Sequence, residues 1–151
     1  MNRNPPSIPP YGTYRYAVRV YYEDTDAGGV AYHATYLRFA ERARTEALRE
    51  AGITHAELLE RFTLMFVVRR VEVDYLRPAR LDELLIVNTE ALEVGGATVT
   101  LRQEVHGPQG PCAVLTVRLA CVKPGDGKPG RLPQRWRAVL EGIRAAARNR
   151  G

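Results

Sequence analysis

The hydrophobic positions along this chain follow two different periods. Tyr14 to Tyr22, Tyr-Arg-Tyr-Ala-Val-Arg-Val-Tyr-Tyr, is rich in aromatic and β-branched residues and reads as a first strand. Glu23 to His33 holds Asp24, Asp26, Gly28 and Gly29, a composition that predicts a loop. From Ala34 to Ala51 the apolar residues Leu37, Ala40, Ala43, Ala47, Leu48 and Ala51 recur near helical spacing, with Glu41, Arg42, Arg44 and Glu46 among them. The predicted helix is roughly 27 Å long and stops at Gly52. Small residues on its apolar face let a sheet come close. Thr54, with Glu57 three positions on, marks a short second helix reaching Arg61.

Beyond that point the period changes to two. Val71, Val73 and Tyr75 alternate with Arg70, Glu72 and Asp74, and Pro78 closes this strand. Leu84 to Val94 predicts a long strand, with Gly95-Gly96 as a hairpin turn. In the next strand Val99, Leu101, Gln103 and Val105 share one face, and Gly107 to Pro111 turns the chain again. Cys112 to Lys123 has few polar residues, so it is expected to be central or at a subunit contact. Pro124 to Pro133 reads as a loop, and Leu132 to Arg148 as a terminal helix. The short turns imply antiparallel pairing, which gives an α+β sheet with one long helix on one face.

The 151 residues correspond to about one domain. Residues 1–13, with Pro5, Pro6, Pro9 and Pro10, are expected to be a flexible leader, and residues 14–151 a single domain with a basic C-terminal helix. No stretch approaches the roughly 20 apolar residues of a membrane span. The first residues lack the apolar core of a secretory signal, so a cytoplasmic location is expected. The net charge of +5 is local, because six arginines against a single acidic residue, Glu141, follow from Arg131 onward. A basic terminus attracts nucleic acid, an anionic membrane or ligand phosphates, and is equally consistent with a solvated end. Cys112 and Cys121 sit nine positions apart in one apolar segment; as parts of one strand they are too distant to bond and read as buried free thiols. Neither they nor other residues show metal-ligand spacing, so neither metal nor bound cofactor is expected.

The chemistry concentrates in Val20-Tyr-Tyr-Glu-Asp-Thr-Asp-Ala-Gly-Gly-Val-Ala-Tyr-His-Ala-Thr-Tyr36. This block resembles the signature of the 4-hydroxybenzoyl-CoA thioesterase group of hotdog enzymes, and most closely that of the Tol–Pal-associated acyl-CoA thioesterases. The likeness continues through Phe39 to Glu46, Phe66 to Val68, Asp74-Tyr75, Leu81 to Leu84 and Gly96 to Thr98, and spans Tyr14 to Val122. It implies a hotdog fold, a curved antiparallel sheet of about five strands wrapped around one long helix, as the order of elements also predicts. It further implies hydrolysis of an acyl-CoA, or of an acyl-carrier-protein thioester, in a homodimer or homotetramer with sites between protomers.

The resemblance assigns the catalytic carboxylate to Asp26, as nucleophile or as base activating water, and places His33 at the helix start with its backbone N–H as oxyanion donor. Asp24 is then a loop-organising residue, and Glu41 a reserve carboxylate. The loop suits this role physically. A helix start leaves N–H groups unpaired and favours negative charge, and Gly28 and Gly29 let backbone and ligand approach closely. Taken singly, Asp26 fits an Asx-turn and His33 a structural residue; only the combined pattern favours catalysis. Tyr22, Tyr32 and Tyr36 flank the loop as packing or pocket-lining residues. Arg69, Arg70, Arg77 and Arg80 are basic candidates for a phosphate-bearing ligand, Arg70 foremost. The rival readings are a dehydratase on carrier-protein thioesters, a scaffold that binds acyl groups or acyl carrier protein without turnover, and a nucleic-acid binder. No nucleic-acid reader motif supports the last, so no specific nucleic acid is expected as a partner.

Overall fold

The computed structural model describes residues 13–144. All but the last position of the expected leader, and the expected helical residues after Arg144, lie outside them. In chain order the elements are β1 (Tyr14–Arg19), α1 (His33–Glu50), α2 (His55–Phe62), β2 (Met65–Tyr75), β3 (Leu84–Val94), β4 (Thr98–Gly107), β5 (Gly110–Val122) and α3 (Gln134–Gly142). The strands form one antiparallel sheet in the order β1-β3-β4-β5-β2. This is the α+β hotdog arrangement that the sequence predicts, and β5 is central, between β4 and β2.

The core lies between α1 and the sheet face that carries Leu85, Val87, Leu101, Val105, Leu115 and Val117. Phe39, Ala40 and Ala43 of α1 have no exposed surface. The alanines remove side-chain bulk where the helix crosses the strands, so Phe39 alone fills much of the gap. Gln103 is a polar residue in the middle of this apolar face, fully buried. Its amide nitrogen donates to the Ala40 carbonyl and to the Thr89 hydroxyl, both at 2.9 Å. Its oxygen accepts from Arg44 at 3.2 Å. One side chain of β4 thus ties α1 to β3 in a single register.

Three boundaries differ from the sequence reading, each for a local reason. β1 ends at Arg19 rather than Tyr22. The carboxylate of Asp24 accepts the Tyr21 N–H at 2.8 Å and draws Tyr22–Asp24 into a single tight turn. β2 begins at Met65, well before the alternation that starts at Arg70, because its register slips between Val68 and Arg70. That irregularity breaks the period of two by which a strand is recognised. The terminal helix stops at Gly142. The carbonyl of Ile143 instead accepts the Ala91 N–H at 2.8 Å and Arg144 bridges to Ala91, where β3 itself bulges between Ala91 and Glu93. The second helix follows its expected cap, with the Thr54 hydroxyl accepting the Glu57 N–H at 3.0 Å. Both cysteines are buried and free on β5, and burial pushes both thiols up, away from thiolate chemistry.

Candidate active site

The Asp24–Tyr32 segment is a miniature hairpin rather than an open loop. Tyr32 N–H donates to the Asp24 carbonyl at 2.9 Å, Thr25 and Ala31 form a bridge, and Asp26 N–H donates to the Val30 carbonyl at 2.9 Å. At the tip, Gly29 takes φ +79°, a left-handed conformation that glycine adopts without strain. The Asp26 carboxylate folds back over this tip. Its Oδ1 accepts the N–H of Gly28 at 2.8 Å and that of Val30 at 3.4 Å, while Oδ2 has no hydrogen-bond partner among the described residues. Asp26 is exposed, with one oxygen held by the backbone and the other presented outward.

Asp24 lies at the base of the hairpin, 5% exposed. Besides holding Tyr21, it faces Arg38 at 4.0 Å, and its carbonyl accepts the Thr35 hydroxyl at 3.2 Å. Those bonds anchor the hairpin to the first turn of α1, which starts immediately after it. Tyr32 caps α1 in an extended conformation and makes no side-chain hydrogen bond to it. The N–H groups of His33 and Ala34 therefore lack an intrahelical acceptor and point out of the helix start. A second segment closes the other side: Ala31 N–H donates to the Ala79 carbonyl at 2.7 Å and Leu81 N–H to that of Gly29 at 3.2 Å. The buried Tyr36 hydroxyl accepts the Ala79 N–H at 3.1 Å, and burial pushes this phenol up, keeping it neutral. The Tyr75 hydroxyl of β2 donates to the His33 carbonyl at 3.2 Å, with its ring 4.5 Å from the imidazole.

The structure therefore brings Asp26, Gly28, Gly29, Tyr32 and His33 together on one hairpin and the helix start that follows it. Arg70 is not part of this group. It stands exposed on β2, next to Val71, which is itself partly exposed, and pairs with Glu72 at 3.4 Å. Glu41 lies two turns farther along α1, away from the hairpin. Sequence reasoning missed Tyr75 as a partner of His33, and it missed Gln103 and Arg44. Gln103 carried a signal, a lone amide in an apolar strand face; Arg44 carried none.

Two cavities flank α1 beyond the helix start. A smaller one, about 260 Å³, begins at Leu37, one turn from His33. A larger one, about 460 Å³, reaches α2 at Ala56 and Leu59. Both are lined by Glu41, Arg44 and Val68, so the two adjoin at those residues, and the pair makes a trough along the helix with Arg44 at its middle.

A family model described as the thioesterase superfamily matches residues 28–114. The chain belongs to the thioesterase superfamily. It is a thioester hydrolase, as the relatives it resembles are named. It is 47% identical over 131 residues to the acyl-CoA thioesterase YbgC of Haemophilus influenzae, covering 87% of this chain and 96% of that protein. It is 33% identical over 134 residues to the acyl-CoA thioesterase YbgC of Helicobacter pylori strain 26695, covering 83% of this chain and 98% of that protein. Among solved structures, a probable thioesterase from Bartonella henselae superposes with a TM-score of 0.76 at 37% identity, covering 80% of this chain and 99% of that one.

Proposed function

We propose that this chain hydrolyses acyl-CoA thioesters, with Asp26 as the catalytic carboxylate and the N–H groups of His33 and Ala34 as the oxyanion site. One observation carries this reading. Asp26 Oδ1 is fixed by two backbone N–H groups while Oδ2 has no partner among the described residues, beside a helix start that the Tyr32 side chain does not cap. Hydrolysis needs both parts, an attacking or deprotonating oxygen and donors for the negative charge on the thioester carbonyl. The names of the relatives supply acyl-CoA as the substrate.

Two sequences of steps fit. As nucleophile, Asp26 attacks the carbonyl carbon, the carbon–sulfur bond breaks, CoA leaves as thiolate, and water cleaves the resulting mixed anhydride. As base, Asp26 takes a proton from water, whose oxygen attacks directly and displaces the same thiolate. Gly28 and Gly29 keep the approach to Oδ2 open, Tyr32 flanks it, and Tyr75 holds the first helical carbonyl in place. Arg70 has no role in this reading, because it faces away from Val71 and pairs with Glu72. The reading includes a homodimer. β2 is an edge strand of 11 residues with Val68 and Val71 exposed, and such an edge calls for a partner. It also keeps the cytoplasmic location expected from the sequence.

The test is thiol release from acyl-CoAs of graded chain length, by the wild type and by Asp26→Asn. The substitution is expected to lower kcat by about 10²–10⁴-fold with circular dichroism unchanged. Equal turnover by both proteins would show that another group does the chemistry. Turnover only of acyl-carrier-protein esters would replace CoA as the carrier.

A further inference from the structure

The trough along α1 has an unusual polar element in its middle. Its walls are largely aliphatic, with Leu37, Val71 and Leu115 at one end and Leu59, Phe66 and Leu119 at the other. Where the two halves meet stands Arg44, half-buried on the inner side of α1. Its guanidinium makes one hydrogen bond, to the neutral amide oxygen of Gln103, and no carboxylate lies within ion-pair distance among the described residues. Burial pushes its pKa down, and Glu41, which lines the same junction, opposes that only from a distance. A half-buried guanidinium has five donors, of which the protein meets one here, and Arg44 lines both cavities. Arg38, Thr45 and His55 also line parts of these walls, but Arg44 is the cation common to both cavities, and mostly apolar walls around a guanidinium with a single protein acceptor describe a pocket for an apolar ligand that carries an acceptor oxygen at one place.

The trough also has the right origin. Leu37 follows His33 by one helical turn, so the near end of the trough lies one turn from the proposed oxyanion site, whose own residues do not line it. Arg44 is eleven residues from His33, about 16 Å along the helix, which is close to the length of an extended lauroyl chain. The charge at the junction decides which oxygen fits. Arg44 is a donor cation and Glu41 an acceptor anion, so the junction is close to neutral overall. A carboxylate there would meet Glu41 as well as Arg44, whereas a hydroxyl accepts from the guanidinium and has its own proton to give to Glu41 or to the Thr45 hydroxyl.

We propose that the trough is the acyl channel and that Arg44 selects chains bearing a hydroxyl far from the thioester. This rests on the acyl-thioesterase reading of the hairpin and adds a substrate class to it.

The experiment compares kcat/KM for butyryl-CoA, lauroyl-CoA, palmitoyl-CoA, ω-hydroxylauroyl-CoA and the CoA monoester of dodecanedioic acid. The expected result is about a tenfold preference for ω-hydroxylauroyl over lauroyl, the effect of one charge-assisted hydrogen bond. Within Arg44→Met that ratio is expected to fall to about one. A second variant, Ala56→Trp, fills the far end from the exposed side of α2 and does not depend on Arg44 folding normally when changed. Lauroyl ends at Arg44, so this variant is expected to leave lauroyl-CoA unchanged and to lower the ratio of palmitoyl-CoA, whose chain reaches past Arg44, to lauroyl-CoA. Equal rates for the hydroxylated and plain chains in the wild type would overturn the proposal, as would a hydroxyl preference that survives Arg44→Met. So would a preference for the carboxylate-ended ester, which would make Arg44 an anion receptor. Long chains no better than butyryl-CoA, as when a second copy's side chains fill the trough, would overturn it too. In each of those cases butyryl-CoA is still cleaved and the reading of the hairpin stands. If no ester is cleaved, both fall together.

Discussion

Gln103→Leu tests how α1 is held in register. Leucine is close to glutamine in volume and removes only the amide. Three hydrogen bonds disappear, to Ala40, Thr89 and Arg44, and at a net value of about 1 kcal/mol each the loss is about 3 kcal/mol. The Ala40 carbonyl keeps its helical bond. Thr89 and Arg44 are the groups left short inside the core, and their desolvation sets the upper side of that figure. For a chain of this size about 3 kcal/mol lowers Tm by about 6–12 °C. Urea denaturation at fixed protein concentration measures the change, with the slope of the transition expected to stay the same. Arg44→Met completes a double-mutant cycle. The two side chains share the 3.2 Å bond, so the double variant is expected to lose less than the sum of the singles, by about 1–2 kcal/mol. A Tm within about 2 °C of wild type, or additive losses in the cycle, would mean that the buried amide is incidental and the helix is held by its alanine face alone.

Other consequences are simpler. Gly29→Ala places a side chain at φ +79° in open space, so its effect is backbone strain alone, about 1–2 kcal/mol from the urea midpoint; an unchanged midpoint would contradict the left-handed tip. Tyr14 is 2% exposed and its phenol is pushed up to about 12 by burial and then by the Glu50 and Glu46 carboxylates. Its folded value exceeds its unfolded one, so the stability it contributes is present below pH of about 10 and is lost as pH rises toward 12, by about 2–3 kcal/mol. Alkaline unfolding of Tyr14→Phe should lack that loss, and superimposable wild-type and variant curves would refute the assignment. Val71→Lys puts a charge on the open edge of β2 and is expected to shift the mass seen by light scattering from dimer toward monomer; an unchanged mass would place the subunit contact elsewhere.

Much of the fold was legible because β3 and β4 each have one buried and one more exposed face. β4 is the clearest case, with Val99, Leu101 and Val105 facing inward in alternation. β2 was legible only in its second half, since the slip at Arg69 erases the alternation and its first half looks like an apolar run. The end of β1 was misjudged because Tyr21 and Tyr22 favour strands locally, whereas the buried Asp24 carboxylate bends the chain there. The hairpin with Asp26 and His33 was legible through its resemblance to a known block, its residues being contiguous in the chain. Tyr75 and Arg44 were not. Tyr75 meets His33 across 42 positions and Arg44 meets Gln103 across 59, and no local pattern announces contacts of that kind.

The pairing of Asp24 with Tyr32, Thr25 with Ala31 and Asp26 with Val30 has a consequence for how this segment tolerates changes in length. Side chains on paired strands alternate between two faces. Adding or deleting one residue between Asp24 and Asp26 would turn the carboxylate through half a revolution, toward the side opposite its present one. Changes at the tip, among Ala27, Gly28 and Gly29, leave that parity untouched. The segment is therefore a counted object: its arms admit length changes only in pairs, and a single-residue change keeps the parity only at the crown, where Gly28 and Gly29 in turn fix which residues can stand.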